Sequence, residues 1–228
     1  MEFNYLGEPN FELLQITMNQ GERFKIERGS MVYMQNIQLD AKLNGGGILK
    51  AIGRSLTSNE SIFITHAISK TPNARLAIGP KTPGKILQLT VCNGQQYCIN
   101  DGAFLACEES VEYSMKRQSL GHAFFGGTGG LFIMQTSGNG SIFVSSYGDL
   151  IPITVTRGNP ISIDNTNVVC WDSSLDYEIQ VASGIMGFKS GEGLVNTFHG
   201  EGVVYIQTRN VEGLAELLIP YMPQPSSN

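Results

Sequence analysis

Apolar side chains recur at every second position through short stretches of this chain. Leu14, Ile16 and Met18 alternate with more polar neighbours, and the same spacing returns at Leu87, Leu89 and Val91. Alternation sends successive side chains to opposite faces of an extended backbone, so each stretch predicts a half-buried β-strand. Turns follow at Asn19-Gln20-Gly21, Asn93-Gly94 and Arg157-Gly158-Asn159, because Gly and Asn accept positive φ. Return strands are predicted at Phe24/Ile26, Tyr97/Ile99 and Ile161/Ile163, each joined to its predecessor as a hairpin.

These units are copies of one another. Gln15-Ile16-Thr17-Met18-Asn19-Gln20-Gly21 aligns with Gln88-Leu89-Thr90-Val91-Cys92-Asn93-Gly94 and with Pro152-Ile153-Thr154-Val155-Thr156-Arg157-Gly158. Further on, Met31-Val32-Tyr33 matches Phe104-Leu105-Ala106 and Val168-Val169-Cys170. An alternating strand then follows in each copy: Ile37/Leu39/Ala41, Val111/Tyr113/Met115 and Leu175/Tyr177/Ile179. The first copy is one residue out of step there, which predicts a bulge or a shifted turn. Last strands are expected at Ser61–Ile64, Ser141–Val144 and Val203–Ile206. Self-similarity of this kind marks a recurring supersecondary unit.

The expected architecture is all-β: triplicated β-sandwich modules with pseudo-threefold symmetry and a short C-terminal helix. Repeats are placed at about residues 11–70, 84–148 and 149–209, within a single domain over 1–222. Val211 to Ile219 predicts the helix, stopped by Pro220, and a shorter amphipathic turn is predicted over Ile48 to Leu56. Residues 223–228 are expected to form a disordered tail.

Composition agrees with a β protein. Apolar residues make up 41% and charged residues 15%, with 27 glycines. The net charge is −5, from 15 basic and 20 acidic residues without a basic run, so no nucleic-acid partner is expected. No stretch reaches the length of a membrane helix, and Met1-Glu2-Phe3-Asn4-Tyr5 lacks the form of a secretory signal. Cys92, Cys98, Cys107 and Cys170 have no close paired spacing, although Cys92 and Cys98 flank one turn. Free, mostly buried thiols in a reducing cytoplasm are expected.

Three passages carry a family resemblance. They are Arg28-Gly29-Ser30-Met31-Val32-Tyr33-Met34 with Gly45-Gly46-Gly47 after it, Asn59-Glu60-Ser61-Ile62-Phe63-Ile64-Thr65, and Gly200-Glu201-Gly202-Val203-Val204-Tyr205-Ile206-Gln207-Thr208-Arg209. With the final helix, they resemble prokaryotic members of the altered-inheritance-of-mitochondria, or mitochondrial biogenesis, family over nearly the whole chain. The resemblance implies a triplicated sandwich grouped with the tryptophan RNA-binding attenuator protein. It implies no catalytic residues. Mitochondrial relatives are linked to organelle membrane organisation, but no transit peptide is seen here.

Candidate chemistry is sparse. His66, His122 and His199 are scattered without the short-spaced ligands of a zinc site, so no metal and no cofactor is expected. Gly126-Gly127-Thr128-Gly129-Gly130 lacks the Lys-Ser or Lys-Thr pair of a phosphate loop. Glu108 and Glu109 are adjacent, so on a strand they point apart, and no Gly-x-Ser-x-Gly elbow is present. No catalytic residue is assigned. The apolar, glycine-rich segments stand out instead: Ile48 and Leu49, Phe124 and Phe125, and Ile185, Met186 and Phe188 occupy equivalent places in the three copies. They are the candidate contact surface, for a homo-oligomer, a protein partner or a membrane surface. The leading expectation is a non-catalytic scaffold or interaction module. The alternatives are a small-ligand-binding or enzymatic sandwich with its site between repeats, and an RNA-binding ring by analogy of fold.

Overall fold

The structure, a computed structural model, describes residues 1–42, 64–100, 102–117, 132–181 and 194–222. The turn expected at 48–56, the tail, and all seven candidate contact residues (Ile48, Leu49, Phe124, Phe125, Ile185, Met186 and Phe188) lie outside the described residues. So do His122 and the glycine run at 126–130.

Strand β1 (Glu2–Leu6) precedes three sets of six. The first set is β2 (Leu13–Met18), β3 (Arg23–Glu27), β4 (Met31–Gln35), β5 (Ile37–Lys42), β6 (Ile64–Ser69) and β7 (Ala74–Ile78). The second is β8 (Ile86–Val91), β9 (Tyr97–Asn100), β10 (Phe104–Glu108), β11 (Val111–Arg117), β12 (Phe132–Gly138) and β13 (Gly140–Ser145). The third is β14 (Leu150–Val155), β15 (Ile161–Asp164), β16 (Val168–Asp172), β17 (Asp176–Val181), β18 (Leu194–His199) and β19 (Gly202–Gln207). Helix α1 (Val211–Leu218) runs into a 3-10 turn, Ile219–Tyr221, that contains Pro220. The side chain of Asn210 caps α1 by accepting from the Gly213 amide at 2.6 Å. The first set runs on to Ile78, eight residues past the expected limit at 70. Its last strand, the counterpart of β13 and β19, is β7; of the strand expected at Ser61–Ile64, residues 61–63 lie outside the described residues and Ile64 opens β6.

The strands form antiparallel sheets in the orders β1-β2-β7-β4, β5-β6-β3-β10-β13-β8, β11-β12-β9-β16-β19-β14 and β15-β18-β17. Within each set, the first, sixth and third strands form one layer, and the second, fifth and fourth form the other. The turns at Gly21, Gly94 and Gly158 therefore arch between layers. They are not hairpins, although all three glycines hold positive φ, at 82°, 92° and 82°. The flanking strands face each other across a core, as Leu14, Ile16 and Met18 face Phe24 and Ile26. Arch and hairpin share the same alternation and the same turn residues, which is why the sequence pattern does not separate them.

Neighbouring sets are sewn together by main-chain pairing. β3 pairs with β10, opposing Ile26 to Ala106 and Lys25 to Cys107. β9 pairs with β16, opposing Ile99 to Cys170 and Cys98 to Trp171. All three third strands carry a bulge at the same place, Met31/Tyr33, Phe104/Ala106 and Val168/Cys170. The out-of-step first copy reflects the second of the two expected causes, a shifted turn. A single residue, Asn36 at φ 60°, links β4 to β5, where longer turns link the equivalent strands.

Three cores lie between successive layers. Leu105 and Ala106 of the second set join the first core, and Val169 and Cys170 of the third set join the second. The third core gathers Trp171, Phe198 and Ile163 with no strand of a following set. Trp171 is wholly buried against Tyr177 and Phe198, so its fluorescence reports folding of this core and not events at the surface.

One polar residue is out of place in that core. Asn196 is fully buried opposite Ile163, and neither its amide nitrogen nor its oxygen meets a hydrogen-bond partner. Its counterpart, opposite Ile99 in the second set, is Met134. An unmet buried amide costs about 1–3 kcal/mol, so Asn196→Met is expected to raise unfolding stability by ~1–2 kcal/mol in urea titration.

Candidate functional site at the seams between repeats

A cleft of about 380 Å³ opens where the turns of all three sets approach one another. The first set contributes Glu27 and Lys81, which form an ion pair across it. The second contributes Asn100, Ala103 and Tyr147, and the third Asn165, Thr166, Gln207 and Val211. Most of these polar groups are occupied in holding turns together. Asn100 donates its amide to the Asn165 and Val168 carbonyls at 3.1 and 3.0 Å. Gln207 donates to the Thr166 carbonyl at 2.8 Å and accepts from the Tyr147 amide at 2.8 Å. The exception is Asn165, buried at 8% exposure, whose side-chain oxygen has no partner. Behind the lining residue Ser146, a Cβ on Gly84 would lie 1.7 Å from the Ser146 carbonyl oxygen, so only glycine lets the two linkers touch.

A second polar cluster lies on the seam between the first and second sets. His66, in the middle of β6, places Nδ1 3.0 Å from Glu109 Oε2, and Arg23 Nε lies 3.5 Å from Glu109 Oε1. Lys25 is buried, donates to the Glu109 and Val111 carbonyls at 3.0 and 2.8 Å, and sits 3.6 Å from Glu112. His66 thus makes a carboxylate contact across the seam. Glu108, the last residue of β10, accepts from the Ser141 amide at 2.6 Å, whereas Glu109 stands in the turn after the strand and not on the strand itself. The next seam substitutes Gln95 to Asp172 at 2.8 Å for these charges. Only side-chain identity at positions such as Lys25 hinted at the cluster. A lone lysine within an apolar strand is costly to bury and needs partners.

His199 stands exposed at the end of β18, and Glu201 makes a 3.9 Å ion pair with Arg157 on the surface. Among the described residues, no group of three metal-ligating side chains converges. Also among the described residues, no helix is long and apolar enough to cross a membrane, which says nothing of strands. The cysteines are all free, and Cys92 alone is exposed. Burial pushes the Cys98 thiol up to about 11 and that of Cys107 up to about 12, and raises Cys170 as well. A thiol held protonated is a poor nucleophile, so these three pack as small apolar side chains.

The whole arrangement of strands has known counterparts. The family model for mitochondrial biogenesis AIM24 matches residues 3–209. This chain belongs to that family. An uncharacterised protein of Streptococcus pyogenes serotype M6 is 43% identical over 234 residues, spanning 100% of this chain and 93% of the relative. A crystal structure of a Streptococcus pyogenes protein superposes with a TM-score of 0.82 at 42% identity, covering 97% of this chain and 99% of that one. The matched residues include both seams and every cleft residue named above except Val211.

Two outcomes follow from the site geometry. With a thiol reagent at pH 8, native protein is expected to label one cysteine, Cys92, quickly, and denatured protein all four. Lys25→Met removes a charged donor from two buried carbonyls and should lower stability by ~2–3 kcal/mol in chemical denaturation.

Proposed function

We propose that this AIM24-family chain is a non-catalytic interaction module that works through apolar surface, including the glycine-rich segments with Phe124 and Phe125. One observation carries the reading: the C-terminal segment exposes Val211, Leu214, Leu217, Leu218, Ile219, Tyr221 and Met222, and α1 buries no residue at all. A helix of eight residues is marginal in water by itself, and a run of exposed apolar side chains on it marks a contact surface. The described polar clusters support the same view, since their donors and acceptors mostly hold turns and seams. Four free thiols suit a reducing compartment such as the cytoplasm.

A second reading, a small-molecule site between the repeats, is favoured by the unpartnered Asn165 oxygen in the cleft. It is distinguished by saturable ligand binding that Asn165→Ala abolishes.

The test of the interaction reading uses two variants, Leu217→Ser with Leu218→Ser, and Phe124→Ser with Phe125→Ser. Both are expected to keep the far-UV circular dichroism of the parent. Each should lose cross-linked contacts that the parent makes with protein or with lipid vesicles. Variants that keep every contact would overturn the reading.

A further inference from the structure

Each third strand completes the repeat before it, and one repeat is left without its completion. The two inner sheets share a single order: fourth, fifth and second strands of one set, then third, sixth and first strands of the next. The two outer sheets are the halves of a third such sheet. β17-β18-β15 ends on the free edge of a second strand, and β4-β7-β2 begins on the free edge of a third strand. These two edges are not paired with each other.

Exposure records what is missing. The third strands β10 and β16 are buried at four of their five positions, whereas all five residues of β4 are exposed. Met31, Val32, Tyr33 and Met34 are 37%, 54%, 40% and 46% exposed, against 3%, 0%, 0% and 0% for Phe104 to Cys107. On the other edge, Ile163 closes the third core with no following strand beside it. An apolar, unpaired edge is a template for strand addition, and natural proteins usually blunt such edges with charge or proline. β4 carries neither.

We propose that β15 of one molecule pairs with β4 of a second molecule of this chain, head to tail. The chain already makes this interface twice within itself, so a second copy carries the matching edge. The register follows from the internal seams. Ile26 and Ile99 oppose Ala106 and Cys170, the residues just after the bulge, and Lys25 and Cys98 oppose the next residue along. Transferred to the free edges, Ile163 opposes Tyr33, Ser162 opposes Met34, and Ile161 opposes Gln35. Tyr33 then lies over the third core as Ala106 lies over the first. None of these six residues is charged, so the pairing depends on main-chain hydrogen bonds and apolar burial and is insensitive to salt. Such a contact is heterologous: it closes into a ring of molecules or extends as a chain. It is independent of the apolar-loop reading, since the strand edges and the loops are altered by different substitutions and either idea can fail alone.

Disulfide trapping tests it in the full-length protein carrying Cys92→Ser. One preparation also carries Met34→Cys and another Ser162→Cys, both at solvent-facing positions and both expected to keep the circular dichroism of the parent. Directly opposed residues in an antiparallel pair bring Cα atoms within disulfide range. Mixed under mild oxidant, the two preparations are expected to give a disulfide-linked dimer that neither gives alone. Native mass spectrometry of the parent is expected to show multiples of 24.8 kDa, reduced to the single chain by Val32→Lys with Met34→Lys. No mixed dimer, or a double-cysteine chain that links only to itself, would overturn the proposal. The second result would mean that β15 closes on β4 of its own chain.

Discussion

Main-chain pairing between the second strand of one repeat and the third strand of the next is the interaction on which this structure depends. A buried strand must satisfy its amides and carbonyls along both edges, because no water is there to do so. β10 does this by pairing with β13 of its own set and β3 of the preceding one. In the same stroke it lays Leu105 and Ala106 into the first core. A repeat is therefore not a closed sandwich. Its hydrophobic interior is finished by a strand of the set that follows it.

Because the backbone carries the seam, side chains along it are free to differ. The first seam buries Lys25 between two carbonyls and clusters His66, Arg23 and Glu109 around it. The second places Cys98 where Lys25 stands and holds its turn with Gln95 and Asp172. The bulge in the third strand recurs unchanged through both. Charge and polarity thus vary from seam to seam on constant geometry. What the described residues present outward includes a helix that buries no side chain and the exposed edge strand β4.

Much of this was legible from the alternation of apolar residues. Strands at Leu13–Met18, Ile86–Val91 and Leu150–Val155, the arch glycines and the terminal helix follow from local stereochemistry: period-two burial, positive φ, and a proline that ends a helix. Other features were not legible for identifiable reasons. β7 reads Ala-Arg-Leu-Ala-Ile, with two alanines whose full burial is evident only once β2 and β4 flank it. His66 looks like any strand histidine until β3 and the Glu109 turn meet beside it. Asn165 and Asn196 are common turn and strand residues in sequence, and only the tertiary packing leaves the Asn165 side-chain oxygen and both polar atoms of Asn196 without partners.

The sequence by itself determined where the chain is extended, where it turns, and that one pattern is used three times, because those properties depend on each residue and its near neighbours. Only the tertiary structure decided which strands share a sheet. An arch and a hairpin need the same alternation and the same glycine, and they differ in whether the backbone hydrogen bonds of one strand go to the next strand or to a strand far along the chain. That choice is made by the burial of whole faces against one another. It is also what leaves β4 and β15, among the described residues, paired along one edge only.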